Sequence, residues 1–401
     1  MVRQEPGQLR EVGVEHVLLG QREQFELFEL LELFELRRMR RVTPRPFRPG
    51  EAFFLQWHIT DRCNLCCRHC YREGPKPDLS GPDLRRVWEN LLELAQAMPQ
   101  DKARVQIAGG EPMLSPHLFE VLDWTASAGL QTRMLSNGVL IDRQAAADLK
   151  AHGCRIVQLS IEGMAETHDS IRGPGTFEKV LNAARVLAEA EVEVTFAVTL
   201  TKASAAELPR LLDLASKAAD RIGFHRLVPC GSGKGLTAEM LTPAELRAAY
   251  DQIHRFKQDH PWLDIPLRDP LWKPYFSCVK MSHHADGCSA GYCGICVDSD
   301  ATAYSCRRMP IPLGSALATP LTELWESGLM ESLRDRDQLK GRCGGCALRW
   351  RCGGCRAVAW ALTGDPLAED PQCFFRPSIV ERLGWKALVL ASDLRSREGG
   401  G

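Results

Sequence analysis

Between residues 53 and 257, short apolar runs alternate with longer segments whose apolar residues recur at helical spacing. Runs near 53–60, 104–109, 131–136, 155–161, 192–200 and 222–228 read as strands. Helices are expected over 82–98, 116–128, 143–152, 176–190, 205–219 and 243–257. Ser80-Gly81-Pro82 marks one helix start, with a proline in the first turn. Thr242-Pro243-Ala244-Glu245 marks another, as a capping-box pattern. Six strand–helix units in alternation imply an α/β fold with parallel strands and right-handed crossovers.

Outside that region the pattern changes. Along Gln24–Leu36, Glu26, Glu29, Glu32 and Glu35 recur every three residues, which on a helix gives one acidic stripe and a wide apolar remainder. Arg37, Arg38, Arg40 and Arg41 follow, as suits a helix dipole. The apolar face is expected to pack on the protein or a second subunit; the alternative is a contact for a substrate or partner protein. Thr43–Gly50 is a proline-rich connector. The expected organisation is an N-terminal extension (1–50), a strand–helix region (51–257), a linker (258–277), a cysteine-rich segment (278–380), and a C-terminal helix and tail (381–401).

The 401 residues suffice for two or three full-sized cores. A net charge of −1 offers no general basic field, so no nucleic-acid partner is expected. No apolar stretch is long enough for a membrane span, and the N-terminus lacks a signal-peptide core. Sixteen cysteines in such a chain point to metal or redox chemistry in a reducing cytoplasm, not to disulfides.

Those cysteines are clustered. Cys63, Cys67 and Cys70 stand in a Cys-x3-Cys-x2-Cys spacing directly after the first strand. Three thiolates this close can hold three irons of one cubic cluster, leaving the fourth iron for a non-protein ligand. Structural zinc, the alternative, usually takes four protein ligands. Cys66 does not fit the spacing. In this context the stretch resembles the radical S-adenosylmethionine (SAM) family. The resemblance implies a partial (β/α)6 TIM-like barrel whose open iron is chelated by SAM. It also implies reductive cleavage to a 5′-deoxyadenosyl radical that takes a hydrogen atom from the substrate.

Further motifs carry the same resemblance. Tyr71 matches an aromatic that packs by the adenine. Gly109-Gly110-Glu111-Pro112, at the end of the second strand, matches the stretch that binds the SAM amino group. Glycines there let backbone carbonyls approach, and Glu111 can oppose an ammonium. Ser136 and Asn137, and Ser160 and Glu162, end the third and fourth strands, where relatives place polar groups for the ribose and methionyl parts. Glu162 stands where many relatives have aspartate. Arg172 matches an arginine that pairs with the SAM carboxylate; the alternative is a surface arginine.

The late cysteines resemble the SPASM extension of the same family, which holds two auxiliary four-iron clusters. By that likeness Cys343, Cys346, Cys352 and Cys373 would hold the outer cluster. Cys288, Cys306 and Cys355 would hold the inner one, with Cys293 or Cys296 as fourth ligand and Cys293 preferred for its spacing. Two departures stand out: the last pair is two residues apart where many relatives have three, and Ala301 replaces a usual glycine. Paired zinc sites are the alternative for this block.

The resemblance implies three [4Fe-4S] clusters, SAM, and a reductase or flavodoxin-type electron donor. The favoured substrate is a ribosomally made precursor peptide, with a crosslink or thioether as product. The first alternative is a porphyrin-like molecule losing side-chain carboxylates, and the second a non-catalytic zinc-binding interaction protein. No residue stands out as final acid or base.

Overall fold

The computed structural model describes residues 53–98, 103–276, 287–346 and 348–376. The acidic-striped segment 24–36, the connector after it, Cys278 and the C-terminal helix and tail expected over 381–401 lie outside the described residues.

Six strands form in the expected order, each parallel to the next. They are β1 (Phe53–His58), β2 (Ala103–Ala108), β3 (Gln131–Ser136), β4 (Ile156–Ser160), β5 (Glu193–Leu200) and β6 (Arg221–Arg226). The main helices are α1 (Gly81–Ala97), α2 (Leu118–Ser127), α3 (Arg143–Ala151), α4 (Ala165–Arg172), α5 (Thr176–Glu189), α6 (Leu208–Ala218) and α7 (Pro243–Asp259). Both predicted helix starts are built as the sequence implies. The Ser80 hydroxyl accepts from the Asp83 amide at 3.3 Å. Thr242 and Glu245 exchange both capping-box bonds, at 2.8 and 3.3 Å.

Burial follows from the periodicity. On α1, Leu84, Val87, Trp88, Leu91 and Leu94 recur on one helical face and are all buried. Trp88 stacks on Trp57 of β1 at 6.5 Å. Each such side chain contributes roughly 1.5–3 kcal/mol of burial, which fixes α1 against the strand that launches the cysteine loop.

Two features differ from the expectation. First, the sheet continues past β1. The cysteine-rich segment supplies β7 (Gly294–Val297), β8 (Thr302–Cys306) and β9 (Met309–Ser315), and β7 pairs in parallel with β1. The resulting sheet has nine strands in the order β6-β5-β4-β3-β2-β1-β7-β8-β9. This covers the edge that β1 would otherwise leave open. Second, residues 258–276 are packed instead of linking. Leu263, Ile265, Leu271 and Trp272 are buried, and Asp264 bridges to Arg221 of β6. Trp272 stacks on Tyr250 of α7 at 4.0 Å. The segment has apolar anchors but no regular period, so its sequence shows composition and not contact. Among the described residues, no helix is long and apolar enough to cross a membrane.

Candidate active site

The loop after β1 and the C-terminal ends of β2 to β6 border one cavity of about 770 Å3. Convergence of successive strand ends on one space is what an open barrel provides. Cys63, Cys67 and Cys70 line it, with Tyr71, Gly109, Gly110, Ser136, Asn137, Ser160, Glu162 and Arg172. Glu111 and Pro112 are buried behind that wall. Cys66 also borders the cavity and is exposed.

The cysteine loop lies directly on the end of β2. The Gly110 amide donates to the Thr60 carbonyl at 2.9 Å, and the Glu111 amide to the Arg62 carbonyl at 2.7 Å. A Cβ on Gly109 would stand 2.5 Å from the Thr60 oxygen, and one on Gly110 2.3 Å from the Arg62 oxygen. Real side chains do not tolerate such approaches, so the paired glycines are what lets the loop seat. Asp78 secures its far side, accepting from the Thr60 hydroxyl at 2.8 Å and the Asp61 amide at 2.6 Å.

Glu111 and Glu162 turn out to be internal anchors. The Glu111 carboxylate accepts from the Ser136 hydroxyl at 2.8 Å, the Asn137 amide at 2.7 Å and the Met113 amide at 3.2 Å. It therefore ties the end of β2 to the end of β3, although burial still raises its pKa. Glu162 accepts from Arg172 Nε at 3.0 Å and the Thr199 amide at 2.9 Å, and it lies 3.0 Å from His69 Nε2. Burial alone would raise its carboxyl, but His69 and Arg172 hold it well below the usual range. Arg172 is thus no surface residue. Its remaining Nη1 points to Cys67 Sγ at 3.7 Å, which sets a cation beside a thiol of the motif.

Asn137 reaches the same loop, donating to Asn64 Oδ1 at 2.8 Å with Cys63 Sγ 4.0 Å away. The Tyr71 hydroxyl lies 3.2 Å from His58 Nε2, whose Nδ1 lies 3.0 Å from Asp298 Oδ1 in the turn after β7. His58, His69, Thr199 and Asp298 are partners that sequence reasoning missed. His69 stands inside the cysteine motif, yet nothing in the spacing foretells a contact with Glu162.

Three thiols around a shared cavity, with a guanidinium against one of them, fit a cubic cluster. Burial raises all three thiols; metal binding deprotonates such groups. Among the described residues, no three Cys, His, Asp or Glu side chains close on one point as a single ion requires. A cube takes each thiolate on a different iron, so that convergence is not needed.

The late cysteines fall into two neighbourhoods. Cys352 has Cys373 and Cys343 among the charges that act on it, after burial, and Cys346 has Cys343. Cys288, Cys306 and Cys355 pack around one apolar cluster with Met309 and Val358. Cys296, on β7 opposite Gln56 of β1, has Cys306 among its neighbouring charges. Cys293 is buried one strand position before β7, its carbonyl accepting from the Phe54 amide at 2.9 Å.

The Radical SAM superfamily profile matches residues 57–215, and that of the iron–sulfur cluster-binding SPASM domain matches 288–347. The chain is similar to the AdoMet-dependent heme synthase of Methanosarcina barkeri, 29% identical over 80% of this chain and 96% of that one. It is 30% identical to the pre-heme d1 synthase of Dinoroseobacter shibae, over 82% of this chain and 88% of that one. It is 29% identical to the mycofactocin maturase MftC of Mycobacterium ulcerans, over 80% and 87%.

Proposed function

Because the chain belongs to the radical SAM family and carries its SPASM domain, we propose that it is an oxidoreductase acting on the carboxylate side chain of a tetrapyrrole. The carrying observation is likeness across most of both chains to proteins named for haem synthesis. The turn between β8 and β9, from the cysteine-rich segment, contributes to the wall of the same cavity.

Cys63, Cys67 and Cys70 would hold the SAM-binding cluster. Cys343, Cys346, Cys352 and Cys373 would hold one auxiliary cluster, and Cys288, Cys306 and Cys355 with Cys293 or Cys296 the other. Bound there, these groups would supply hydrogen-atom abstraction and one-electron transfer. The chain supplies position. Gly109 and Gly110 seat the cysteine loop, the Glu162–Arg172–His69 group fixes its far half, and the cavity wall limits water. A propionate that gives up one hydrogen atom, one electron and CO2 becomes a vinyl group. A reductase or flavodoxin-type protein would be the electron donor.

A second reading, maturation of a precursor peptide, is favoured by the likeness to the mycofactocin maturase. One assay separates them. The reconstituted enzyme, SAM and dithionite are incubated anaerobically with iron coproporphyrin III or with a small peptide encoded beside the gene. Mass spectrometry should show propionate-to-vinyl conversion together with 5′-deoxyadenosine. A modified peptide beside an unchanged porphyrin would overturn the tetrapyrrole reading.

A further inference from the structure

Six arginines border the cavity: Arg68, Arg72, Arg172, Arg226, Arg307 and Arg308. Four of them have carboxylate partners. Arg68 meets Glu239 at 2.8 Å, and Arg72 meets Asp298 at 3.0 Å. Arg172 meets Glu162 at 3.0 Å, and Arg226 meets Asp269 and Asp370 at 2.8 Å each. Among the described residues, no carboxylate lies within 4.0 Å of Arg307 or Arg308.

Their contacts are neutral. Arg307 Nη1 donates to Gln56 Oε1 at 2.8 Å, and its guanidinium lies 5.6 Å from the centre of the Tyr71 ring. Arg308 Nη1 donates to the Arg226 carbonyl at 3.1 Å, while its Nε is buried with no hydrogen-bond partner. Both residues are only partly exposed. Adjacent half-buried cations without a counter-ion are unfavourable until something anionic completes them. Both lie in the turn that follows Cys306, so the hairpin of the cysteine-rich segment carries them into the barrel cavity.

We propose that Arg307 and Arg308 form a carboxylate subsite that holds an acidic group of the substrate beside Tyr71, in the cavity that Cys63, Cys67 and Cys70 border. A guanidinium fork matches a carboxylate in shape and charge, and each arm forms charge-assisted hydrogen bonds. The inference deepens the tetrapyrrole reading and rests on it only for what bears the carboxylate; an acidic peptide side chain carries the same group. The competing anions are thiolates and, beyond 4.0 Å, the Asp269 carboxylate that Arg226 already bonds. Burial works against the charge of Arg308, while Cys355, Cys306, Cys230 and Asp269 hold its pKa up. The arginines could then serve a cluster instead, and binding and cluster must be read separately.

Anaerobic titration calorimetry of the reconstituted full chain tests this with two probe pairs. One pair is coproporphyrin III and its tetramethyl ester; the other is a glutamate-containing peptide and its glutamine counterpart. The parent protein should prefer an acid form over its uncharged partner. Arg307→Gln and Arg308→Gln should each weaken acid binding roughly 10- to 100-fold and leave ester binding within about twofold. Arg307→Lys and Arg308→Lys, which keep the charge without the fork, should fall between. Electron paramagnetic resonance of the auxiliary clusters should be unchanged. No acid preference in the parent overturns the subsite without any variant. So does equal loss of acid and ester, or an altered cluster spectrum with acid binding intact. If the parent takes the glutamate peptide and not the porphyrin, and the variants lose it, the subsite stands and the tetrapyrrole reading falls.

Discussion

Asp370 is where one substitution should separate the auxiliary cysteines from the rest of the site. Its carboxylate is fully buried and accepts from Arg226 Nη1 at 3.0 Å and Nη2 at 2.8 Å. It also accepts from the Cys355 amide at 2.7 Å. Its own amide donates to Cys343 Sγ at 3.4 Å, and its carbonyl accepts from the Cys373 amide at 3.1 Å. One residue thus joins three of the late cysteines to the end of β6. Asp370→Asn would turn one acceptor into a donor that faces other donors. Breaking a buried pair from one side costs about 3–5 kcal/mol. Arg226 keeps Asp269 at 2.8 Å, which favours the lower end, about 3 kcal/mol. An unmet buried donor adds about 1–3 kcal/mol locally. The expected result is a lower unfolding temperature and loss of auxiliary iron, with the Cys63–Cys70 loop still able to support SAM cleavage. Iron per chain, differential scanning calorimetry and 5′-deoxyadenosine chromatography measure these separately. A double-mutant cycle with Arg226→Gln should cost less than the sum of its parts. Additive losses, or Asp370→Asn with full iron and stability within about 1 kcal/mol of the parent, would refute the reasoning.

Other outcomes follow from the same geometry. Replacing Cys63, Cys67 and Cys70 together by alanine should abolish 5′-deoxyadenosine formation while auxiliary iron stays; Cys66→Ala should keep SAM cleavage, and loss of the first cluster in that single variant would show the motif was assigned to the wrong thiols. Gly110→Ala must move the Arg62 carbonyl from 2.3 Å, an overpacking cost of about 1–3 kcal/mol; iron bound by the motif should fall, and an unchanged iron content and turnover would argue against loop seating. His168 has its pKa brought down to about 4, by burial first and then by Arg172. The folded state therefore binds fewer protons than the unfolded one between that value and 6.5, so stability is complete above about 6.5 and falls by up to about 3 kcal/mol as pH drops through the window. His168→Gln should flatten the acid side of a Tm–pH profile, and a parallel profile would count against it.

The strands and helices of 53–257 were legible because they are local. Periodicity, a capping box at Thr242 and a proline in a first turn act over a few residues, and the folded chain keeps them. The cysteine spacing and the Gly109-Gly110 pair were legible for the same reason. Both are patterns of a few residues, and the structure adds that the glycines make room for Thr60 and Arg62. Nothing comparable marks residues 258–276, whose buried anchors have no period.

By itself the sequence determined the order of the elements, the thiols gathered by motif, and the loop that carries them. Tertiary structure alone decided that β7 closes the edge of β1, that His69 and Arg172 meet on Glu162, and that Arg226 meets Asp370 across 144 positions. It also decided that Arg307 and Arg308 enter the barrel cavity without carboxylate partners among the described residues. An arginine in a sequence shows its charge and not its counter-ion. Whether a charge is met depends on which distant strand end the packing of the core brings beside it.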